Sequence, residues 1–242
     1  VIFYHKGKVI PISVVSKSIM NAPLLPRIDQ SKLRESVYNS LHKAFTRGDF
    51  APGDVVNLRS LASQLGTSMT PVREAVRRLV AEGALIDTPS RTLEVPAFDP
   101  LRMQDLMRAR IALETLVTEL AITKMDATAL AELEAVLARP STVTPDEPLP
   151  DLVQNYDFHF TLYRRSESPV LLPLIEGLWL QYGPYLHLIT RRAGAEIGAG
   201  NDIHRELLDA VQKADAAAAK TALIRDIERS FALLVPARAG DP

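Results

Sequence analysis

No cysteine occurs in the 242-residue chain, which rules out disulfides and thiolate metal sites and permits a cytoplasmic location. No apolar run approaches the ~18 residues that a membrane-spanning helix needs. A Gly-rich phosphate loop, a GxSxG elbow and an HExxH helix are also missing, so nucleotide, serine-hydrolase and zincin chemistry lack their usual marks. No internal repeat is present. Net charge is small at −1, but it is unevenly spread. Through Pro96 there are 13 Lys and Arg against 8 Asp and Glu, and beyond it 15 against 21. A basic front and an acidic back suit phosphate contacts at one end only.

What remains is an ordinary globular composition, 47% hydrophobic and 24% charged, with length for one or two domains and sizeable cores. Residues 1–19 precede Met20, which starts a stretch that reads like a natural beginning. They lack the small-residue cleavage site of a secretory signal and are expected to be an upstream or appended extension ordered as a β-arm. We take 1–26 as this extension.

From Ser31 to Thr46, Leu33, Val37, Leu41 and Phe45 recur at helical spacing. Pro52-Gly53-Asp54 then turns the chain. The next stretch, LRSLASQLGTSMTPVREAVRRLVAEGALI, divides into two short helices and a sharp joint. Asn57 caps the first, Leu58, Leu61, Ala62 and Leu65 form its apolar stripe, and Gly66 stops it. Thr70 is the expected second N-cap, with Pro71 at the first helical position. Val72, Ala75, Val76 and Leu79 face inward on this second helix, while Arg73, Arg77 and Arg78 face out. This is a helix-turn-helix, whose second helix enters the major groove. Ala84–Ile86 and Thr92–Val95 read as two short strands around a Thr88–Arg91 wing.

The run LASQLG-TSMTPVREAVRRLVAEGALI resembles the DNA-binding half of GntR-family transcription regulators, and the remainder of the chain resembles the ligand-binding half of the FadR subgroup. The likeness spans roughly residues 31–235. It implies a mainly α protein: a winged helix-turn-helix with a small β-wing over 27–95, a linker over 96–100, and an all-α helical-bundle ligand-binding and dimerisation domain over 101–237. Helices are expected near 101–124, 127–138, 151–165, 169–192, 201–213 and 215–235, with a Pro-rich loop from Pro140 to Pro150.

The resemblance assigns DNA contacts to Arg59, Ser68, Met69, Thr70 and Arg73, and Arg77 and Arg78 extend the basic face. Arginine forks onto guanine O6 and N7, and hydroxyls at a helix start suit phosphate. Met69 stands where many members have arginine, which moves operator preference away from the family's usual GT…AC palindrome. The wing also lacks the family's frequent tip glycine.

Within the second half, His159 falls in the inner arc of its helix with Asn155 four residues before it, His204 lies beside Leu207, Leu208 and Val211, and Asp226 lies on a small-residue shoulder. These spacings of four, forty-five and twenty-two residues fit the family's divalent-metal framework, with Asn155 where aspartate is usual and Asp226 where a third histidine is usual. Such a set suits Zn²⁺, Ni²⁺ or Mn²⁺; a hydrogen-bonded polar cluster without metal is the other reading. Arg110 points toward the apolar side in the family's RxxLE context, where it forks onto a ligand carboxylate; the alternative is an i,i+4 pair with Glu114. Tyr156, Tyr163, Trp179 and Tyr185 pack the core or wall a cavity.

The function implied is a ligand-responsive transcription regulator, usually a repressor. It would bind a palindromic double-stranded operator as a homodimer and sense a small carboxylate, with no enzymatic activity and no membrane partner. A metal-dependent hydrolase or isomerase and an effector-independent architectural DNA binder are the rivals.

Overall fold

The computed structural model describes residues 4–5, 8–9, 30–90, 92–139, 150–192 and 198–234. Two compact units emerge, residues 1–30 and 31–242. In the first, β1 (Tyr4–His5) pairs antiparallel with β2 (Lys8–Val9). The second holds all the remaining elements.

It opens with α1 (Gln30–Thr46), which buries Val37, Tyr38, Leu41 and Phe45 along one stripe. Thr46 closes the helix by donating its hydroxyl to the His42 carbonyl at 3.0 Å. Then α2 (Leu58–Gln64) starts under the side chain of Asn57, whose Oδ1 accepts from the Arg59 and Ser60 amides at 2.9 and 3.1 Å. Gly66, at φ +60°, makes the left-handed step that ends it.

The second helix of the pair, α3 (Met69–Ala81), begins earlier than the sequence suggests. Ser68 rather than Thr70 is its N-cap, without a side-chain cap bond, and Pro71 is the third helical residue. The first four helical N–H groups lack intrahelical partners anyway, so proline costs nothing at any of these positions. Val72, Ala75, Val76 and Leu79 are buried as expected.

The wing is short: β3 (Ile86–Asp87) pairs antiparallel with β4 (Leu93–Glu94), with Ile86 opposite Glu94, and Val55 bridges to Glu94 on the other side. Ala84 and Leu85, expected in the strand, are buried in the core before it. Hydroxyls lace the turn in place of a glycine. Thr88 donates to the Thr92 carbonyl at 3.0 Å, and Ser90 Oγ lies 2.8 and 3.1 Å from Thr88 Oγ1 and Thr92 Oγ1. Arg91 is outside the described residues.

Six helices complete the unit: α4 (Pro100–Ile122), α5 (Ala127–Leu137), α6 (Pro150–Arg164), α7 (Leu171–Arg192), α8 (Gly198–Gln212) and α9 (Ala216–Ala232). Aspartates cap three of them: Asp99 accepts from Leu101 N at 3.0 Å, Asp126 from Ala129 N at 2.7 Å and Asp215 from Ala218 N at 2.9 Å. Before α7, Ser168 Oγ accepts from Leu171 N at 3.1 Å and Glu167 adopts φ 55°. This places the helix start two residues after the expected Pro169. Residues 140–149 of the Pro-rich stretch, and 235–237, lie outside the described residues.

One helix serves two cores. Along α7, Trp179, Tyr182 and Leu186 pack in the bundle core, while Leu180 is buried in the core of the helix-turn-helix. Gly183 lies so close to the end of α1 that a Cβ on it would sit 2.1 Å from the Phe45 carbonyl oxygen. Tyr185 donates to the Pro96 carbonyl at 3.0 Å, and Arg102 bridges the Gly83 carbonyl (2.8 Å) and Gln181 Oε1 (2.9 Å). The end of α3 and the linker are thus tied to α4 and α7.

Candidate nucleic-acid interface and metal centre

At ~100° per residue, α3 presents three faces. The first is the buried apolar stripe. Glu74 and Arg78, one turn apart, face α1: Glu74 pairs with Arg34 at 3.0 Å. Arg78 pairs with Glu82 at 3.0 Å, reaches Glu35 at 3.7 Å, and lies 3.5 Å over the Tyr38 ring. Tyr38 itself donates to Glu82 at 2.7 Å. Arg78, placed by the sequence on the basic face with Arg77, is exposed and also ties α3 to α1 through these contacts. Its stacking partner lies forty residues upstream and is invisible in helical periodicity.

The third face carries Thr70, Arg73 and Arg77, all exposed, with half-buried Met69 beside them. No ion pair holds Arg59, Arg73 or Arg77 among the described residues. Ser68 is exposed at the start of the helix and Arg59 is exposed in the first turn of α2. Arg73 and Arg77 also line a surface pocket with Leu58, Val76, Val80, Asp87 and Leu93, which extends this face to the wing. Uncommitted cations around a helix start are suited to a polyanion.

In the bundle, three of the polar residues singled out by sequence converge. His159 (α6), His204 (α8) and Asp226 (α9) place one donor atom each within 4.8 Å of one another. His159 Nε2 is 3.1 Å from Asp226 Oδ2 and His204 Nε2 is 3.6 Å from Asp226 Oδ1. Both ring nitrogens are buried, and neither makes a well-formed hydrogen bond. Burial lowers the His159 pKa against the opposing pull of Asp226. Burial alone would raise that of Asp226, but the two histidines outweigh it and hold the carboxyl well below the usual range.

That geometry fits a cation. Buried nitrogen and oxygen donors aimed at a common point, without hydrogen bonds between them, form a ready ligand set for a borderline divalent ion. Asn155, one turn before His159 on α6, is half-buried and offers a neutral oxygen.

Arg110, the ligand clamp that the resemblance implies, is engaged within the protein. It is 2% exposed and its fork is already occupied: Nε meets Glu114 Oε1 at 2.6 Å and Nη2 meets Oε2 at 3.2 Å. The alternative pair with Glu114 is formed, and it lies deep inside instead of at a helix edge. Two further donors reach the same carboxylate, Tyr163 Oη at 2.6 Å and Trp179 Nε1 at 3.1 Å. The guanidinium lies 4.4 Å from both the Trp179 and Tyr182 ring centroids. Only Nη1 of Arg110 is left buried without a partner. Tyr163 and Trp179 are packed in the core and bonded within it, and Tyr163 Oη also lies 3.1 Å from His159 Nδ1. Sequence reasoning missed Glu114 as the hub, because its partners come from α6 and α7.

Comparison with known proteins bears on both sites. The family described as bacterial regulatory proteins, gntR family, matches residues 33–95, and the FCD domain matches residues 105–229. The HTH-type transcriptional regulator McbR of Escherichia coli (strain K12) is 30% identical over 82% of this chain and 90% of its own. Its solved structure superposes with a TM-score of 0.77 over 84% and 96% of the two chains. A GntR regulator from Rhodococcus sp. RHA1, 20% identical, superposes with a TM-score of 0.69 over 84% and 97%, which speaks to the fold alone. The HTH-type transcriptional repressor GlaR, also from Escherichia coli (strain K12), is 24% identical over 84% of this chain and 96% of its own.

Proposed function

The chain belongs to the GntR family of bacterial regulatory proteins, with an FCD domain behind its helix-turn-helix, and from that premise we propose a dimeric, ligand-responsive repressor that senses a small carboxylate through a bound divalent metal. It is a transcription regulator and not an enzyme, as its relatives are. No helix among the described residues is long and apolar enough to cross a membrane, and the cytoplasm, where operators lie, is the expected location.

The observation that carries the DNA half is the exposed Arg73 and Arg77, without an ion pair among the described residues, beside Thr70 on one face of α3. Arg59, Ser68 and Met69 complete the surface, and exposed Arg78 borders it while also bracing α3 on α1. One such surface offers few base contacts, so a two-fold dimer on a palindromic operator is the arrangement that gains affinity.

His159, His204 and Asp226 would hold the metal, joined by Asn155 as a weak fourth oxygen. A divalent ion there supplies Lewis-acid affinity for an anionic oxygen. Charge counting favours an acid effector: Glu114 cancels Arg110, Asp226 offsets one of the two metal charges, and one positive charge is left for a monocarboxylate. The Arg110 fork is engaged by Glu114, and Nη1 is the guanidinium nitrogen left without a partner. Effector and operator would be linked through the seating of α7 against the end of α1, since α7 touches both the polar hub and the helix-turn-helix.

The test is selection of duplexes from a random pool, followed by affinity measurement across salt. A two-fold-symmetric site is expected, with log affinity falling steeply with log salt and the slope shallower by about one per phosphate contact removed. Arg73→Ala should lose about 1–3 kcal/mol if the residue reads a base. Salt-independent affinity, or Arg73→Ala and Arg77→Ala binding like the unaltered protein, would sink the reading.

A further inference from the structure

The metal cradle is approached from behind by a chain of hydrogen bonds that fixes where one proton sits. Glu114 is fully buried and takes donors from Arg110, Trp179 and Tyr163. A carboxylate paired to a guanidinium is acceptor-only. The single hydroxyl hydrogen of Tyr163 is therefore spent on Glu114 Oε2, at 2.6 Å. A phenol oxygen that donates its one hydrogen keeps only lone pairs for other partners. The same oxygen lies 3.1 Å from His159 Nδ1. With its hydrogen committed elsewhere, it can only accept there.

We infer that Glu114 and Tyr163 are positioning residues that hold His159 in the tautomer with hydrogen on Nδ1, so that its Nε2 lone pair is aimed at Asp226 and His204. This rests on the metal reading for its consequence, though not for its geometry. In that tautomer Nε2 faces Asp226 Oδ2 at 3.1 Å as acceptor against acceptor. A histidine–aspartate hydrogen bond is then unavailable, and a cation between them relieves the repulsion. The nearby Arg110–Glu114 pair thereby acquires a role besides neutralising itself: Arg110 keeps Glu114 an acceptor, and Glu114 sets the direction of the Tyr163 hydroxyl. Metal-ligating histidines are commonly oriented by such outer partners, whose loss costs 10–100-fold in metal affinity.

The proton can be located without metal. Long-range proton–nitrogen spectra of ¹⁵N-labelled, metal-stripped protein at pH 8 resolve the imidazole nitrogens, with the His159 ring identified by its loss in His159→Gln. A protonated Nδ1 on His159 is the expected result; a bare Nδ1 with hydrogen on Nε2 overturns the inference. As a second arm, Ni²⁺ affinity is measured against a competing chelator. Tyr163→Phe should weaken it by about 10–100-fold, and an unchanged affinity in folded Tyr163→Phe overturns the positioning role. If the unaltered protein takes up no Ni²⁺, or Tyr163→Phe fails to fold, the spectra of the unaltered protein decide the inference alone. Absence of uptake then counts against the metal reading separately.

Discussion

Two glycines on one helix should respond to the same substitution with opposite signs. Gly177 and Gly183 both lie within α7 (Leu171–Arg192), but a Cβ on Gly177 meets nothing within 4 Å, while one on Gly183 meets Phe45 O at 2.1 Å and Thr46 Cα at 2.8 Å. Replacing a helical glycine by alanine is worth up to about 1 kcal/mol in helix propensity, so Gly177→Ala should stabilise by that amount. At Gly183 the same gain is opposed by overlap of more than about an ångström against backbone atoms, which cannot rotate aside as a side chain would. Overpacking of this kind costs about 1–3 kcal/mol or more; with the upper figure, Gly183→Ala loses about 2 kcal/mol net. At roughly 2–4 °C per kcal/mol for a chain of this size, calorimetry should show Gly177→Ala melting about 2–4 °C higher and Gly183→Ala about 4–8 °C lower. Hydrogen exchange should also quicken at the amides of Arg47, Gly48 and Asp49, which close the end of α1. If Gly183→Ala melts higher, as Gly177→Ala does, α7 is not seated on α1 as described and the proposed route from bundle to DNA loses its footing.

Arg110→Met leaves the Glu114 carboxylate buried without its principal partner and should cost about 3–5 kcal/mol in chemical denaturation; a ligand clamp would instead lose effector response with stability intact. Asn57→Ala removes the cap of α2 and should destabilise by about 1 kcal/mol, read in the same denaturation assay. In metal-stripped protein, readdition of Ni²⁺ or Zn²⁺ at a hundred times the dissociation constant should raise stability by about 2.7 kcal/mol. That gain should vanish in both His159→Ala and His204→Ala, and its survival in both would show that the ion sits elsewhere.

Local chemistry explains what could be read from the chain beforehand. The two helices of the DNA-binding motif follow from their apolar stripes, the Asn57 cap and the Gly66 stop, because these are interactions within a few residues. Ser68 and Thr70 both carry hydroxyls, and which one caps α3 is settled by how the preceding turn closes. In the bundle, an inward His159 and an inward His204 were visible as polar interruptions of apolar arcs. Their convergence with Asp226 matches the spacing that the family resemblance supplies. The hub around Glu114 was legible only as an i,i+4 pair with Arg110, since Tyr163 and Trp179 reach it from α6 and α7. Likewise the contact of Arg78 with the Tyr38 ring cannot be read from a helical wheel. Leu180 shows the same limit: helical spacing cannot say in which core it is buried.

Whether the buried His159–His204–Asp226 cradle accepts a metal ion is the central question, and Trp179 makes it directly measurable. It is the only tryptophan in the chain, and its ring centroid lies 5.4 Å from that of His159. Stepwise addition of Ni²⁺ to metal-stripped protein, followed by Trp179 emission, should give quenching that saturates at one equivalent per chain and disappears in His204→Ala. Emission that ignores the ion, or quenching that is the same with and without His204, would contradict the central claim.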